Sequence, residues 1–225
     1  MNHHVVPRQL RLRRADLVVE DPFDKLIAFF RKWPQYDAYV ASGDSPPNQI
    51  VPKDVDVIYS TMGSRASRAS WQPLIDRGSL PELRAIDPGI DLYLTTQRLW
   101  VETRTQERLH SLFDAMRGKG IGIANATKLL YIKRPRLIPV CDSFVLNLFD
   151  LPAGEMASGI ALISALRSRR TQWTPLLRDI QLRLKRSPDH IERTLVRIGD
   201  ALMWSVWKDV KNRAKQGLLQ PPEIV

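Results

Sequence analysis

The segment Gly118-Lys119-Gly120-Ile121-Gly122 has the residue types of a phosphate-binding turn. Glycines lack a Cβ, so this backbone can turn tightly and approach another backbone closely. A helix predicted from Ile123 would add unpaired N–H groups and the positive end of its dipole, which together bind phosphate. Ile121 would anchor the turn in its own helices, and the small Ala126 would let those helices pack together. A purely structural turn between two core helices uses the same residues, and this alternative stays open.

One carboxylate, Asp142, follows 22 residues after Gly120, beyond a second predicted helix and a loop. A positioned carboxylate can stabilise a developing positive charge or orient a water molecule. Asp142 could also simply cap a helix that begins at Ser143, which contributes about 0.5 to 2 kcal/mol. One residue may serve in both roles, so the sequence leaves the two open.

The elements that must position these residues are predicted to be helices. Apolar residues recur at helical spacing in most segments after residue 20, which predicts an all-α fold. Residues 1–20 predict a small β-hairpin appendage, residues 21–217 one helical domain, and residues 218–225 a C-terminal tail. The predicted helices are 23–33, 52–62, 65–75, 104–117, 123–131, 141–149 and 155–167, one opened by Thr174-Pro175, and a last one opened by Ser187-Pro188.

The composition favours a polyanionic partner. Lys and Arg outnumber Asp and Glu by 34 to 24, and a formal charge of +10 indicates nucleic acid before a membrane surface. A soluble protein from a basic proteome would look similar. The single Cys141 excludes a disulfide framework, and no apolar run approaches the roughly 20 residues of a membrane span. We therefore expect a cytoplasmic monomer.

The hairpin pattern resembles a known DNA-binding motif. Gly120-Ile121-Gly122, Ala126 and Asp142 are similar to the helix-hairpin-helix of the base-excision DNA glycosylase superfamily, in which an alanine and then an aspartate follow Gly-hydrophobic-Gly. Residues 128–142, KLLYIKRPRLIPVCD, resemble a group of actinobacterial hairpin-containing proteins without an assigned substrate. Weaker similarity covers residues 58–62, which resemble the superfamily's wedging loop, and residues 197–204, which resemble its closing helix.

The resemblance implies a helix-hairpin-helix glycosylase-like fold, double-stranded DNA as the partner and Asp142 as the catalytic carboxylate. Superfamily members that cleave the strand carry a Schiff-base lysine where this chain has Ala124. The implied activity is therefore hydrolysis of the N-glycosidic bond of a damaged or mismatched base, without a lyase step. A non-catalytic DNA- or RNA-binding protein of the same fold is the alternative. A protein-interaction or toxin-related factor with incidental charge is a third.

The resemblance and the pattern of basic residues together assign the remaining site residues. The predicted contacts with the DNA backbone are Gly118, Lys119, Gly120, Ile121, Gly122, Lys128, Lys133 and Arg134. The predicted wedge or pocket residues are Tyr59, Thr61, Met62, Arg65 and Trp71. A place in the core is the alternative for Tyr59, Thr61, Met62 and Trp71, since Tyr59 shares an apolar helical stripe with Val55 and Met62. No cofactor is expected, although the hairpin carbonyls could bind a monovalent cation.

Overall fold

A computed structural model describes residues 23–118 and 120–215. Over these residues the regular secondary structure is helical, and β pairing is limited to two isolated bridges, Gln49 with Ser79 and Gly118 with Ile121. The all-α class predicted from the sequence is confirmed. The predicted β-hairpin at residues 1–20 and the tail at residues 218–225 lie outside the described residues.

The helices of the described chain are numbered here in chain order. They are α1 (Phe23–Lys32), α2 (Pro34–Ser42), α3 (Pro52–Val57), α4 (Arg68–Asp76), α5 (Pro81–Ala85), α6 (Gln97–Glu102), α7 (Thr105–Ala115), α8 (Ile123–Lys133), α9 (Ser143–Asn147), α10 (Met156–Ser168), α11 (Arg170–Arg186) and α12 (Leu195–Lys215). Helix α3 continues directly into a π-helical turn, Ile58–Met62.

Helix α8 lies at the centre of the core. Nine of its eleven residues are buried, which is typical of a helix covered by neighbours on all sides. It packs against α3, the π-helical turn and α10, while α12 packs against α1, α9 and α11. The hairpin at the start of α8 is therefore carried by one of the best-fixed helices of the fold.

Helix α10 approaches both helices that flank the hairpin, and Gly159 permits this approach. A Cβ built on Gly159 would lie 2.5 Å from Phe113 Cε1 on α7 and 2.5 Å from Ile123 Cδ1 on α8. Carbon atoms in contact need about 3.5 to 4.0 Å. Any larger side chain must displace Phe113 and Ile123 or push α10 away from the hairpin helices.

Replacing Gly159 by alanine is expected to lower the free energy of unfolding by about 1 kcal/mol or more, because overpacking outweighs the better helix propensity of alanine. Chemical denaturation measures this change. Ala157→Ser, on the exposed face of the same helix, is the control and should be nearly neutral. An unchanged or higher stability of Gly159→Ala would show that this contact is not tight.

The last helix does not begin where the sequence predicted. Ser187 ends α11, since its hydroxyl donates a hydrogen bond to Leu184 O at 2.6 Å. Helix α12 begins at Leu195, where the Thr194 hydroxyl accepts a hydrogen bond from Arg197 N at 3.1 Å. Ser187 and Thr194 each have a hydroxyl that could cap a helix. Only Thr194 directly precedes α12.

Two other helix starts also differ from the predictions, and two helices were not predicted. Helix α11 begins at Arg170 and contains Pro175 in its interior, because the buried Trp173 fixes its first turn in the core. Helix α4 begins at Arg68, since Ser67 is its cap. Helices α2 and α6 were not predicted. Pro34 is the signal that was missed for α2, because the fixed φ of proline suits the first turn of a helix.

Candidate nucleic-acid interface

The hairpin between α7 and α8 has the tight geometry that its glycines predict. Ile121 N donates a hydrogen bond to Gly118 O at 3.0 Å, and Gly120 has a φ of 83°, in the left-handed region. Ile121 is 5% exposed and therefore plugs the turn into the core. Ala126, one turn into α8, is fully buried, as its small size predicts.

The two glycines on either side of Ile121 meet different constraints. A Cβ on Gly120 would lie 3.0 Å from Ser70 Oγ, at a φ that side chains rarely adopt. Gly122, the N-cap of α8, has φ −86° and ψ 171°, and a Cβ there would meet no atom within 4 Å. Only Gly120 is demanded by the fold. Gly122 is exposed beside the first N–H groups of α8, which have no partner within the helix.

The start of α4 lies against the hairpin, a neighbour that the sequence analysis missed. Ser67 caps α4 by accepting a hydrogen bond from Ser70 N at 3.2 Å, and the two hydroxyls lie 2.9 Å apart. Ser70 in turn lies beside Gly120. Two helix N-termini thus face the same region, and the Ser-x-x-Ser spacing at residues 67–70 was the available signal.

Asp142 is held beside α8 and caps α9. Its Oδ1 accepts hydrogen bonds from Phe144 N and Val145 N, each at 3.0 Å, so the predicted capping role is confirmed. The preceding residue is tied to α8, because the Thr127 hydroxyl accepts a hydrogen bond from Cys141 N at 2.9 Å. Both cap bonds go to Oδ1. Capping therefore does not occupy Oδ2.

Asp142 and Lys128 affect each other's ionisation. Burial raises the pKa of the Asp142 carboxyl, while the N–H groups it accepts and the Lys128 ammonium act in the opposite direction. Burial lowers the pKa of the Lys128 ammonium, and the charge of Asp142 opposes that change. A carboxylate and an amine with perturbed pKa values, close to a candidate binding surface, fit a functional site better than a solvated surface pair.

The predicted wedge residues lie in the turn that Lys128 contacts. Lys128 Nζ donates hydrogen bonds to Gly63 O at 2.7 Å and Met62 O at 3.2 Å. Thr61 and Met62 are half-buried at the end of the π-helical turn, and Arg65 is exposed just beyond it. The structure therefore brings Met62, Lys128 and Asp142 together beside the middle of α8.

The two predicted aromatic pocket walls belong to the framework instead. Trp71 is fully buried, because α4 begins at Arg68 and turns this residue into the core. Tyr59 is half-buried and donates its hydroxyl to Ala66 O, which closes the turn after α3. The prediction that Trp71 lines a binding pocket is wrong for this reason. Tyr59 fits the core alternative that the sequence also allowed.

Lys133 and Arg134 do not lie on the surface, which corrects their prediction as DNA contacts. Lys133 is 3% exposed and forms a buried ion pair with Asp54. Arg134 is 1% exposed and donates to the carbonyls of Ile86 and Pro47 at 3.0 and 2.6 Å. Their donors satisfy backbone and carboxylate groups inside the protein. No phosphate can reach them in this arrangement.

Two predictions about the hairpin remain, a DNA contact by Lys119 and a monovalent cation bound by the backbone carbonyls. Lys119 lies outside the described residues. Of the hairpin carbonyls, Gly122 O accepts bonds from Asn125 N and Ala126 N, and Gly118 O accepts one from Ile121 N. A carbonyl has two lone pairs, so Gly122 O has none left for a metal ion. Gly118 O keeps one lone pair, so the cation site at the hairpin carbonyls stays a prediction, and we derive no step through it.

The comparisons with known proteins identify a family for this chain, and they give no information about an activity. Neither the curated proteins nor the solved structures include a match to this chain. Residues 23–206 match the family model DUF6308, which is described as a family of unknown function. Since the match spans most of the sequence, the chain belongs to the DUF6308 family.

Proposed function

We propose that the chain binds the backbone of duplex DNA through the hairpin Gly118–Gly122 and the first turn of α8. The observation that carries the proposal is the presence of a glycine at position 122. With φ −86° and open space where a Cβ would be, this position does not need glycine for folding. A glycine there is explained if a second backbone must come close to the N–H groups of the helix.

Charge and neighbouring groups support the same partner. The formal charge of +10 favours a polyanion. Arg65 is exposed and close enough to Lys128 for its charge to lower the pKa of Lys128. The hydroxyls of Ser67 and Ser70 next to Gly120 are of the kind that commonly contact phosphate oxygens. Such contacts fix the position of a duplex without reading its sequence.

For the chemical step we assign Asp142 as the carboxylate of a monofunctional DNA glycosylase. Breaking the N-glycosidic bond of a damaged or mismatched base develops positive charge on the deoxyribose. An ionised carboxylate stabilises that charge and orients the attacking water. Asp142 is half-buried and leaves Oδ2 outside its cap bonds, which supports this role. Ala124 offers no amine, so we expect no Schiff base at that position.

The second candidate is a non-catalytic DNA- or RNA-binding protein with the same helix-hairpin-helix fold. The observation that favours it is the cap itself. Two hydrogen bonds of 3.0 Å from Phe144 N and Val145 N are sufficient reason for an aspartate at position 142. Release of a free base from some duplex distinguishes the two candidates, because only the first requires it.

Localisation and assembly follow from this function and remain proposals. Within the described part of the chain, none of the helices has the length and apolar character needed to span a membrane. We place the protein in the cytoplasm as a monomer, associated with the nucleoid while it is bound to DNA.

Replacing Gly122 by alanine is the test of the binding proposal. The fold has room for the added methyl group, and thermal stability should fall only as far as alanine is a poorer N-cap than glycine, by about 1 kcal/mol or less. Affinity for a duplex should drop roughly tenfold or more, because the methyl group displaces a phosphate from charge-assisted hydrogen bonds. Fluorescence anisotropy over a series of salt concentrations measures both the affinity and the steep salt dependence expected of phosphate contacts.

Ala41→Ser is the matched control, since it adds one heavy atom at an exposed position of α2. Its affinity should equal that of the wild type. Equal affinities for all three proteins, or wild-type binding that does not weaken with salt, would contradict the hairpin as the DNA-binding element.

A further inference from the structure

We propose that Lys128 is a positioning residue, which holds the Met62–Gly63 turn by hydrogen bonds and, through its charge, favours the ionised form of the nearby Asp142 carboxylate. This inference rests on the proposed function, because it assigns Lys128 a role in the reaction of Asp142. It replaces the prediction from sequence that Lys128 contacts the DNA backbone.

The hydrogen bonds of Lys128 tie α8 to the end of the π-helical turn. Its Nζ donates to Gly63 O at 2.7 Å and to Met62 O at 3.2 Å, which uses two of three N–H groups. Gly63 has a φ of 67°, so a glycine is suited to present this carbonyl. A lysine that contacts phosphate points its ammonium into solvent. Lys128 is half-buried and points it at two protein carbonyls.

Asp142 is brought to the same side of α8 by the neighbouring residue. Thr127 accepts a hydrogen bond from Cys141 N at 2.9 Å and so fixes the backbone just before Asp142. The carboxylate of Asp142 is close enough to Lys128 that each charge favours the ionised form of the other. Lys128 thus binds the turn through hydrogen bonds and acts on the carboxylate of Asp142 through its charge.

Three other ionisable groups act on this pair or are affected by it. Asp200 of α12 is one of them, since burial first and the charge of Asp142 in addition raise the pKa of Asp200 to about 7. Arg65, beyond the turn, acts on Lys128 rather than on Asp142. Cys141 is buried, and burial raises its pKa, so its thiol stays uncharged at neutral pH. Among these groups Lys128 is the cation that favours the ionised form of Asp142, in addition to the N–H groups of Val145 and Phe144.

The consequence for the reaction is a defined pH range. Asp142 acts only when it is ionised, and burial alone would keep it protonated to higher pH. The Lys128 ammonium opposes burial and extends activity toward lower pH. Its loss should therefore move the acidic limb of the pH profile upward, and should also free the Met62–Gly63 turn.

The test compares Lys128→Met with Lys128→Arg, which keeps the charge. The first measurement is the titration of the Asp142 carboxyl carbon by NMR in the protein without DNA. Lys128→Met should shift it to higher pH, whereas Lys128→Arg should stay close to the wild type. The second measurement is the rate of base release. In Lys128→Met this rate should fall roughly tenfold at mildly acidic pH, because Asp142 loses one neighbouring opposite charge. Duplex affinity should change little.

An Asp142 titration that is unchanged in Lys128→Met, or shifted equally in both variants, would overturn the proposal. A duplex affinity that falls in parallel with base release would also overturn the proposal. That result would show that Lys128 contacts a DNA phosphate. The titration needs neither DNA nor activity. If the wild type releases no base from any duplex, the glycosylase assignment fails, and the pairing of Lys128 with Asp142 is still decided by NMR.

Discussion

Replacing Arg134 by methionine should lower the free energy of unfolding by about 3 kcal/mol or more, the largest effect on stability that we expect from one side chain. Arg134 joins the loop at residues 47–48 to the residues around α5. It donates to Pro47 O at 2.6 Å, to Asn48 Oδ1 at 2.8 Å and to Ile86 O at 3.0 Å, with a further bond to Leu83 O.

Methionine fills much of the same space and satisfies none of these acceptors. Each buried acceptor left without a partner costs about 1 to 3 kcal/mol. Burial lowers the pKa of Arg134 to about 10, so the side chain is still charged at neutral pH and its loss removes charge-assisted bonds. Chemical denaturation followed by circular dichroism gives the change in the free energy of unfolding.

Arg136 supplies the control two residues further along. Its side chain is exposed, so Arg136→Met removes the same charge from the same segment and should change stability by no more than about 0.5 kcal/mol. If Arg134→Met and Arg136→Met lower the free energy of unfolding equally, Arg134 does not join the 47–48 loop to the residues around α5.

The second large effect concerns Asp142. Changing Asp142 to asparagine should reduce base release from a susceptible duplex by roughly 100-fold or more, because the developing positive charge loses its counterion. Asparagine caps a helix as well as aspartate does, so the bonds from Phe144 N and Val145 N can remain. Stability and duplex affinity should therefore stay near those of the wild type. Single-turnover assays on a panel of lesion-containing duplexes measure the release.

Two comparisons separate the charge of Asp142 from its cap. Asp142→Ala removes both, and should add a loss of stability of about 1 kcal/mol to the loss of release. Asp76→Asn removes the same charge at an exposed position of α4 and should release base at the wild-type rate. Full activity in Asp142→Asn would leave capping as the whole role of this residue.

The hairpin could be predicted from the sequence because its determinants are local. Gly120 must reach a positive φ, Ile121 must return to the core, and Ala126 must be small, and each requirement acts within a few residues. The start of α8 at Ile123 follows from the same segment. The predicted cap at Asp142 is equally local, since its donors are the N–H groups of the next two or three residues.

The burial of Lys133 and Arg134 could not be predicted, because their partners are distant in the chain. Asp54 pairs with Lys133 from 79 residues away, and Arg134 reaches carbonyls 48 and 87 residues away. A run of basic residues beside a proline reads as a charged surface, and only the folded arrangement shows which acceptors surround it. The contact of Lys128 with Gly63, across 65 residues, was hidden for the same reason.

A titration of the backbone amide signals with an undamaged DNA duplex tests whether the hairpin binds DNA. If it does, the amides of residues 120–124 and 67–70 should shift with increasing duplex, and the shifts should reverse as salt is added. The amides around Arg136, at the other end of α8, should not move. Shifts confined to that end, or to surfaces away from the hairpin, would contradict the assignment of Gly118–Gly122 as the DNA-binding element.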